Sequence, residues 1–548
     1  MGLSVVQRFS SPVIREGGMK KPKRIDLDLD QVEALLKRVE TGSLQDGDYE
    51  IIKAMVETIH LLSQSVDEKA TSIRRLLRML FGDRTEKLEN VIKNKSSKKK
   101  DALENSLDKN DKPKPKGHGR NAAADYTGAE KIKVPHATLK PGDSCPGCLK
   151  GKLYEMKVPE LVVRVTGKSP LAATVYEMQK LRCNLCLDIF KADPPADIGE
   201  EKYDAAAGAM VALLKYGAGL PFNRLQQLQG SCGVPLPAST QWEIVEQVAD
   251  RIYPVYVELN HQAAQGNVIH NDDTTMKILD LMKNNQEDKP ERTGIFTTGI
   301  LSIINDRKIA LFYTGRKHAG ENMAALLEKR ESERSPPIQM CDALSRNAPG
   351  EFKTLLANCL AHGRRRFVDV LQSFPEQCRY VIETLAAVYK NDQIARQRNM
   401  SADERLRFHQ DNSDSLMEDL NTWFHQQLDQ HAVEPNSGLG QAIGYMLNHW
   451  EALTLFLKVP NAPLDNNLCE QALKMAILHR KNALFFKTEH GAQVGDLFMS
   501  LIHTCNLAGV NPFDYLTALQ EYASELSEHP DRWMPWNYAV ASSKPEPS

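Results

Sequence analysis

The sequence predicts a multidomain chain: an N-terminal coiled coil, a small cysteine ribbon, a helical region, and an α/β core interrupted by a large helical insertion. Three observations predict it. The 548 residues are too many for one hydrophobic core. Apolar spacing changes from a three-and-four rhythm near the N-terminus to strand-like runs after Gly266. Between these regions stand two Cys-x-x-Cys pairs. The formal net charge of −2, with 26% charged and 41% hydrophobic residues, is a soluble globular balance. It gives no hint of a nucleic-acid partner, although a whole-chain sum conceals segments of opposite sign. No run approaches the ~18 apolar residues of a membrane span, and no secretory signal opens the chain. The expectation is a cytoplasmic, nucleoid-associated protein without a membrane partner. Ten cysteines are too few for a disulfide scaffold, so paired ones point to metal or redox chemistry.

Residues 1–27 read as a disordered leader, with six basic side chains against one acidic up to Arg24, and Met19 is an alternative start. In 28–90 the apolar positions Ile52, Met55, Ile59, Leu62, Val66, Ile73, Leu76 and Leu80 follow a heptad seam broken at Lys69. This predicts a coiled coil and a homo-oligomer; an amphipathic helix packed within its own chain is the plainer alternative. Residues 91–135 form a basic linker. From Val91 to Arg120 ten cations face four carboxylates, a net charge of +6, as suits a solvated tether or an arm that tracks phosphates.

In 136–200, Cys145-Pro-Gly-Cys148 and Cys183-Asn-Leu-Cys186 are separated by 34 residues. Two such knuckles hold four thiolates around a structural zinc ion, and Val158 to Val165 and Ala173 to Leu181 read as ribbon strands. Residues 201–262 read as helical. Pro221 to Gly230 followed by the Cys232-Gly233 turn is compatible with a helix-turn-helix, but Glu243, Glu246 and Asp250 on the second helix favour a plain connector.

The core begins at 263. Asn267 to Asp272 reads as a strand ending in carboxylates, followed by strands at Gly294 to Ile304 and Lys308 to Thr314, a helix at Glu321 to Lys329, and a buried strand from Ile338 to Asp342. Strand, strand, strand, helix, strand is the order of a ribonuclease H-like sheet, where the first and fourth strands are neighbours. Asp272 and Asp342 would then sit at adjacent strand ends. Residues 263–362 form the first part of this core, 363–462 a mostly helical insertion, and 463–510 the second part. There Asp465 is a candidate N-cap, and Glu470 and Lys474 share a helix face. Arg364, Arg365 and Arg366 open the insertion as phosphate-binding candidates or as a solvated face. Cys359 and His362 read as a buried structural pair, and Trp423 and Trp450 as core. In the 511–548 tail, Trp533-Met-Pro-Trp-Asn-Tyr538 docks on the core or on a partner.

These residues resemble the DDE transposases of the insertion sequence 66 family. The likeness is carried by His270-Asn-Asp-Asp-Thr274, Gln339-Met-Cys-Asp-Ala-Leu-Ser345, Asn358-Cys-Leu-Ala-His-Gly-Arg-Arg-Arg-Phe367 and Glu434-Pro-Asn-Ser-Gly-Leu-Gly440. It continues through Asp465-Asn-Asn-Leu-Cys-Glu470, Arg480-Lys-Asn482 and Ser500-Leu-Ile-His-Thr504. Upstream, Phe81-Gly-Asp-Arg-Thr-Glu-Lys-Leu88, Gly117-His-Gly-Arg120 and the cysteine pairs keep the same order. The resemblance implies that Asp272, Asp342 and Glu470 are the catalytic triad and hold two magnesium ions, with manganese as a substitute. Asp273 ranks second. Ile477 stands seven residues after Glu470, where other DDE groups carry a cation, so Lys474, Arg480 or Lys481 would contact phosphate.

Two ions on carboxylates activate a water or a DNA 3′-hydroxyl on one side of a phosphodiester and stabilise the leaving oxygen on the other. The expected function is therefore cleavage of double-stranded DNA at element ends and strand transfer to target DNA, with small proteins of the same element as accessory partners. Two rivals stand beside it: a ribonuclease H-like nuclease that only hydrolyses, and an inactive zinc-containing DNA-binding regulator.

Overall fold

The structure, a computed structural model, describes residues 201–542 apart from 288, 289 and 291, together with parts of 133–195 and a few positions between 35 and 52. The leader, the coiled-coil seam beyond Ile52, the basic arm with Arg120, and Cys183 and Cys186 lie outside the described residues. The chain divides into two compact units, one containing 360–464 and the other 97–359 with 465–548.

In the ribbon region the described strands are β1 (Lys180–Arg182) and β2 (Ile189–Lys191), paired antiparallel with Lys180 opposite Lys191. The expected strand from Ala173 is therefore confined to its last residues. Val175 and Tyr176 are exposed, so the segment before β1 has no face to bury and its alternation earns nothing from pairing.

The larger unit opens with helix α1 (Ala205–Ala212), which runs into a π-turn at Leu213–Gly217, then α2 (Phe222–Ser231) and α3 (Ala238–Ala264). Along α3, Ile244, Val245, Val248, Ala249, Ile252, Val255, Leu259 and Ala263 recur at helical spacing and are buried in the main core. Its apolar face is thus occupied as a core helix.

The sheet follows: β3 (Val268–Thr275), α4 (Leu279–Glu287), β4 (Phe296–Ile304), β5 (Arg307–Gly315), α5 (Ala319–Leu327), β6 (Ile338–Cys341) and β7 (Leu355–Asn358). The strand order is β5-β4-β3-β6-β7, antiparallel from β5 to β3 and parallel from β3 to β7. The first and fourth strands of the core are neighbours, as their order in the sequence predicted. Two elements escaped the sequence reading: α4, and β7, whose four residues are too short to show a period.

The smaller unit contains α6 (Leu360–Val370), α7 (Pro375–Gln397), α8 (Ala402–Asn412), α9 (Asp414–Asp429) and α10 (Gly438–Asn448). Phe367 stacks on Phe424 with centroids 5.7 Å apart, and Trp450 meets Phe424 edge-on. Trp423 packs against Tyr380 and Phe424, so both tryptophans belong to this aromatic core. Asp392 is held by Arg405, Arg396 and His409.

The chain returns to the larger unit with α11 (Asn467–Ala483), α12 (Glu489–Ala508) and α13 (Pro512–Glu521). Helix α12 covers the free edge of β5 with polar side chains four residues apart. Asp496 Oδ2 accepts from Thr314 N (2.6 Å), Ser500 Oγ from Phe312 N (3.0 Å), and Thr504 Oγ1 from Ala310 N (3.1 Å). Four helical residues rise about 6 Å and two strand residues about 6.6 Å, so the two ladders stay in step. The tail docks on this same unit: Trp533 is fully buried, Tyr515 Oη donates to its carbonyl (2.7 Å), and Arg307 lies over the Trp536 ring. Among the described residues no helix is long and apolar enough to cross a membrane.

Candidate active site

The parallel pairing of β3 with β6 sets Val268 opposite Ile338 and His270 opposite Met340. Continued two residues past its last pair, this register brings Asp272 level with Asp342, which directly follows β6. Both aspartates thus arrive at one level on adjacent strands. On the other side of β3, Asp272 pairs with Gly299 of β4.

Gly299 is what allows a helix to approach. A Cβ there would stand 2.9 Å from Leu473 Cγ and Cδ2 and 3.6 Å from Cys469 Sγ, so the bare backbone lets α11 lie directly on the strand. The Cys469 thiol donates to the Gly299 carbonyl at 3.2 Å. Glu470, the next residue, is thereby delivered beside the cross-strand partner of Asp272.

The electrostatics report the same convergence. Burial pushes the Asp272 carboxyl up to about 7, and repulsion from Asp342, Asp273 and Glu470 adds to it, against a hydrogen bond from Asp273 N at 2.8 Å. The Cys469 thiol is raised well above its ordinary value by burial and then by Asp272, Glu470 and Asp342. Burial also pushes Cys341 up to about 12, with Asp342 and Asp272 contributing. Asp272, from β3, therefore feels the charges of Asp342 at the end of β6 and Glu470 on α11. A hard divalent cation binds carboxylate oxygens and would relieve the repulsion felt by Asp272, although the oxygens of these three residues do not all close to within ligand distance of one another.

A buried amide holds the arrangement. Asn466 Nδ2 donates to Asn271 O (3.2 Å), its backbone N–H donates to Cys359 Sγ (3.3 Å), and its Oδ1 faces His270 Nδ1 at 3.0 Å. Because a carbonyl only accepts, the Asn466 amino group must face Asn271, leaving its oxygen to accept from His270 Nδ1–H. Burial pushes His270 down to about 4, so it is neutral with its proton on Nδ1. The expected N-cap at Asp465 is displaced by one: the cap position is Asn466, whose side chain serves β3, while Asp465 Oδ1 accepts from Asn467 N at 3.1 Å.

Asp273 turns to the opposite face of β3 and is engaged there by His318 (3.0 Å) and Arg346 (3.3 Å). Its charge is already matched. Lys474 and Lys481 are exposed on α11, on the stripe that Glu470 begins. Arg480 instead reaches back to the Thr274 hydroxyl (3.1 Å) and to the hydroxyl and carbonyl of Thr275, clamping the helix to the end of β3. In the smaller unit Arg366 lies 3.9 Å over the Tyr445 ring, and Arg364 and Arg365 are half-buried on the same helix.

Cys145 N donates to Gly151 O (2.8 Å), and Gly151 N donates to Cys148 Sγ (3.4 Å). Backbone N–H groups of Lys150 and Gly151, then the side chain of Cys145, lower the Cys148 thiol, which suits a thiolate metal ligand.

The sequence reading missed Gly299, Asn466 and Cys469 as determinants of this site. A lone glycine inside the β-branched run of β4 was the available signal for the first. The other two had none, because their partners lie far away in sequence.

A family profile described as "Transposase IS66 family" matches residues 202–494. The uncharacterized protein y4jD of Sinorhizobium fredii is 25% identical over 525 residues, covering 88% of this chain and 96% of that protein. The uncharacterized protein y4hP of the same organism is 25% identical over 452 residues, covering 76% and 77%.

Proposed function

The chain belongs to the IS66 family of transposases, and on that premise we propose that Asp272, Asp342 and Glu470 form the catalytic centre of a ribonuclease H-like core that cuts element ends and joins them to target DNA. The observation that supports this reading is the buried Asp272 carboxyl, raised in part by Asp342 and Glu470, on the strand beside the one where α11 lies over Gly299. When bound, two magnesium ions supply Lewis-acid charge to the attacking and leaving oxygens of a phosphodiester.

Asp272, Asp342 and Glu470 hold the cations. Asn466 and neutral His270 fix the helix against β3, and Arg480 fixes its far end. Lys474 and Lys481 offer charge to the DNA backbone. Water attack frees the 3′ end of the element, and that hydroxyl then attacks a target phosphodiester while the target 3′ oxygen leaves. The direct exchange needs no covalent protein intermediate. Structural zinc on Cys145, Cys148, Cys183 and Cys186, self-association through the N-terminal coil and DNA contacts by the basic arm complete the reading. The Cys148 environment supports the zinc, and the +6 charge of the arm supports the DNA contact.

The test incubates the full chain with magnesium, a plasmid carrying matching inverted ends, and a target plasmid. End cleavage and joined products are expected, and Asp272→Ala, Asp342→Ala and Glu470→Ala should each abolish both. Cleavage without joining would favour the hydrolytic nuclease, and retained activity in all three variants would remove the triad.

A further inference from the structure

Helix α11 ends in an unusual turn. Leu484 has φ +71° and ψ −39°, and Phe485 N donates to Ala483 O at 2.9 Å, which closes a three-residue γ-turn of the strained, positive-φ kind. A leucine at such a φ has no intrinsic reason to be there. The surroundings hold it in place. Phe486 is buried, stacks on His479 at 4.2 Å, and joins the start of α4 through Phe486 N to Lys277 O (2.9 Å) and Leu279 N to Phe486 O (3.0 Å). Between the helix and this anchor only two residues protrude, and both are large and apolar: Leu484 is 60% exposed and Phe485 41%.

Strain kept against an anchored frame and used to display apolar side chains to water calls for an occupant. Charge indicates which. Between Glu470 and Glu489 the chain carries Lys474, Arg480, Lys481 and Lys487 and no carboxylate, and Lys481 and Lys487 are exposed on either side of the tip. An apolar point flanked by cations fits the base stack of DNA between two phosphate tracks, where inserted Leu or Phe side chains part neighbouring base pairs.

We propose that Leu484 and Phe485 are a wedge that enters a base step of the DNA lying along α11. The inference rests on the DNA-joining reading above. Fourteen residues of helix set the tip about 20 Å from Glu470, which is roughly six base-pair steps from the scissile phosphate.

The experiment compares binding of the full chain to an intact duplex and to the same duplex with a central abasic site, where the stack is already open. Wild type should prefer the abasic duplex roughly tenfold, because part of the unstacking free energy no longer opposes binding. The double variant Leu484→Ala, Phe485→Ala should keep its affinity for the intact duplex and lose the preference. Phe485→Trp should retain it, and an unchanged melting temperature controls for folding. Lys481→Ala with Lys487→Ala should weaken both duplexes alike and reduce the salt slope by about two. A preference that survives the double alanine change overturns the wedge. So does an unchanged DNA profile accompanied by loss of self-association in sedimentation, which would make the tip a contact between copies. Failure of wild type to bind any duplex at low salt would instead remove the DNA reading on which the wedge depends.

Discussion

Asp496 is buried beneath β5, where it accepts from both the N–H and the hydroxyl of Thr314, and burial pushes its carboxyl up to about 7. A folded-state value above the unfolded one means that its contribution is fully present at low pH and is lost as pH rises through about 7. Asp496→Asn can keep the geometry: its oxygen takes the Thr314 N–H, and its amino group donates to the Thr314 hydroxyl, which turns to Thr297 at 2.8 Å. Thermal melts should show a stabilisation of about 1–3 kcal/mol at about pH 8 that shrinks as pH falls below about 7 and is gone by about pH 4; an equal effect at both ends would contradict the assignment. Leu484 offers a second residue-scale test. Leu484→Gly removes the positive-φ strain and should stabilise the protein by about 1 kcal/mol, whereas a loss of stability would show the turn to be relaxed. The sequence could nominate Asp272, Asp342 and Glu470 as candidates because each sits in a motif. It could not reveal Asn466 or Leu484, whose roles depend on a partner 195 residues away in one case and on a dihedral angle in the other.

At the scale of elements, the account depends on how closely α11 lies on β4. Gly299→Ala would press a methyl group against Leu473 at 2.9 Å. The helix must then shift, at a cost of about 1–3 kcal/mol, and cleavage should fall by about tenfold to a hundredfold as Glu470 moves with it. Normal cleavage in a folded Gly299→Ala variant would separate Glu470 from the chemistry. The edge of β5 makes a second prediction. Ser500→Ala leaves the buried Phe312 N–H without its acceptor and should cost about 1–3 kcal/mol in chemical denaturation; no change would mean that the strand edge satisfies itself otherwise. Strands β3 to β6 were legible because apolar runs and turn residues mark them. The polar ladder of Asp496, Ser500 and Thr504 was not, since residues four apart on a buried helix look like ordinary helix until the strand they serve is known.

Across the molecule, a net charge of −2 conceals an opposition. In the core, Asp272 is raised in part by the neighbouring charges of Asp342 and Glu470, while cations occur in the sequence of α11 and of the arm from Val91 to Arg120. The tail, which the sequence left between the core and a partner, is part of the core unit because Trp533 fills a buried site there. In the proposed function Asp272, Asp342 and Glu470 together hold divalent cations. Manganese titration of the purified chain, followed by the loss of free-ion paramagnetic resonance signal, tests it without any DNA substrate. The account predicts saturable binding that Asp272→Asn, Asp342→Asn and Glu470→Gln each weaken by at least about tenfold; binding unchanged in all three would contradict it.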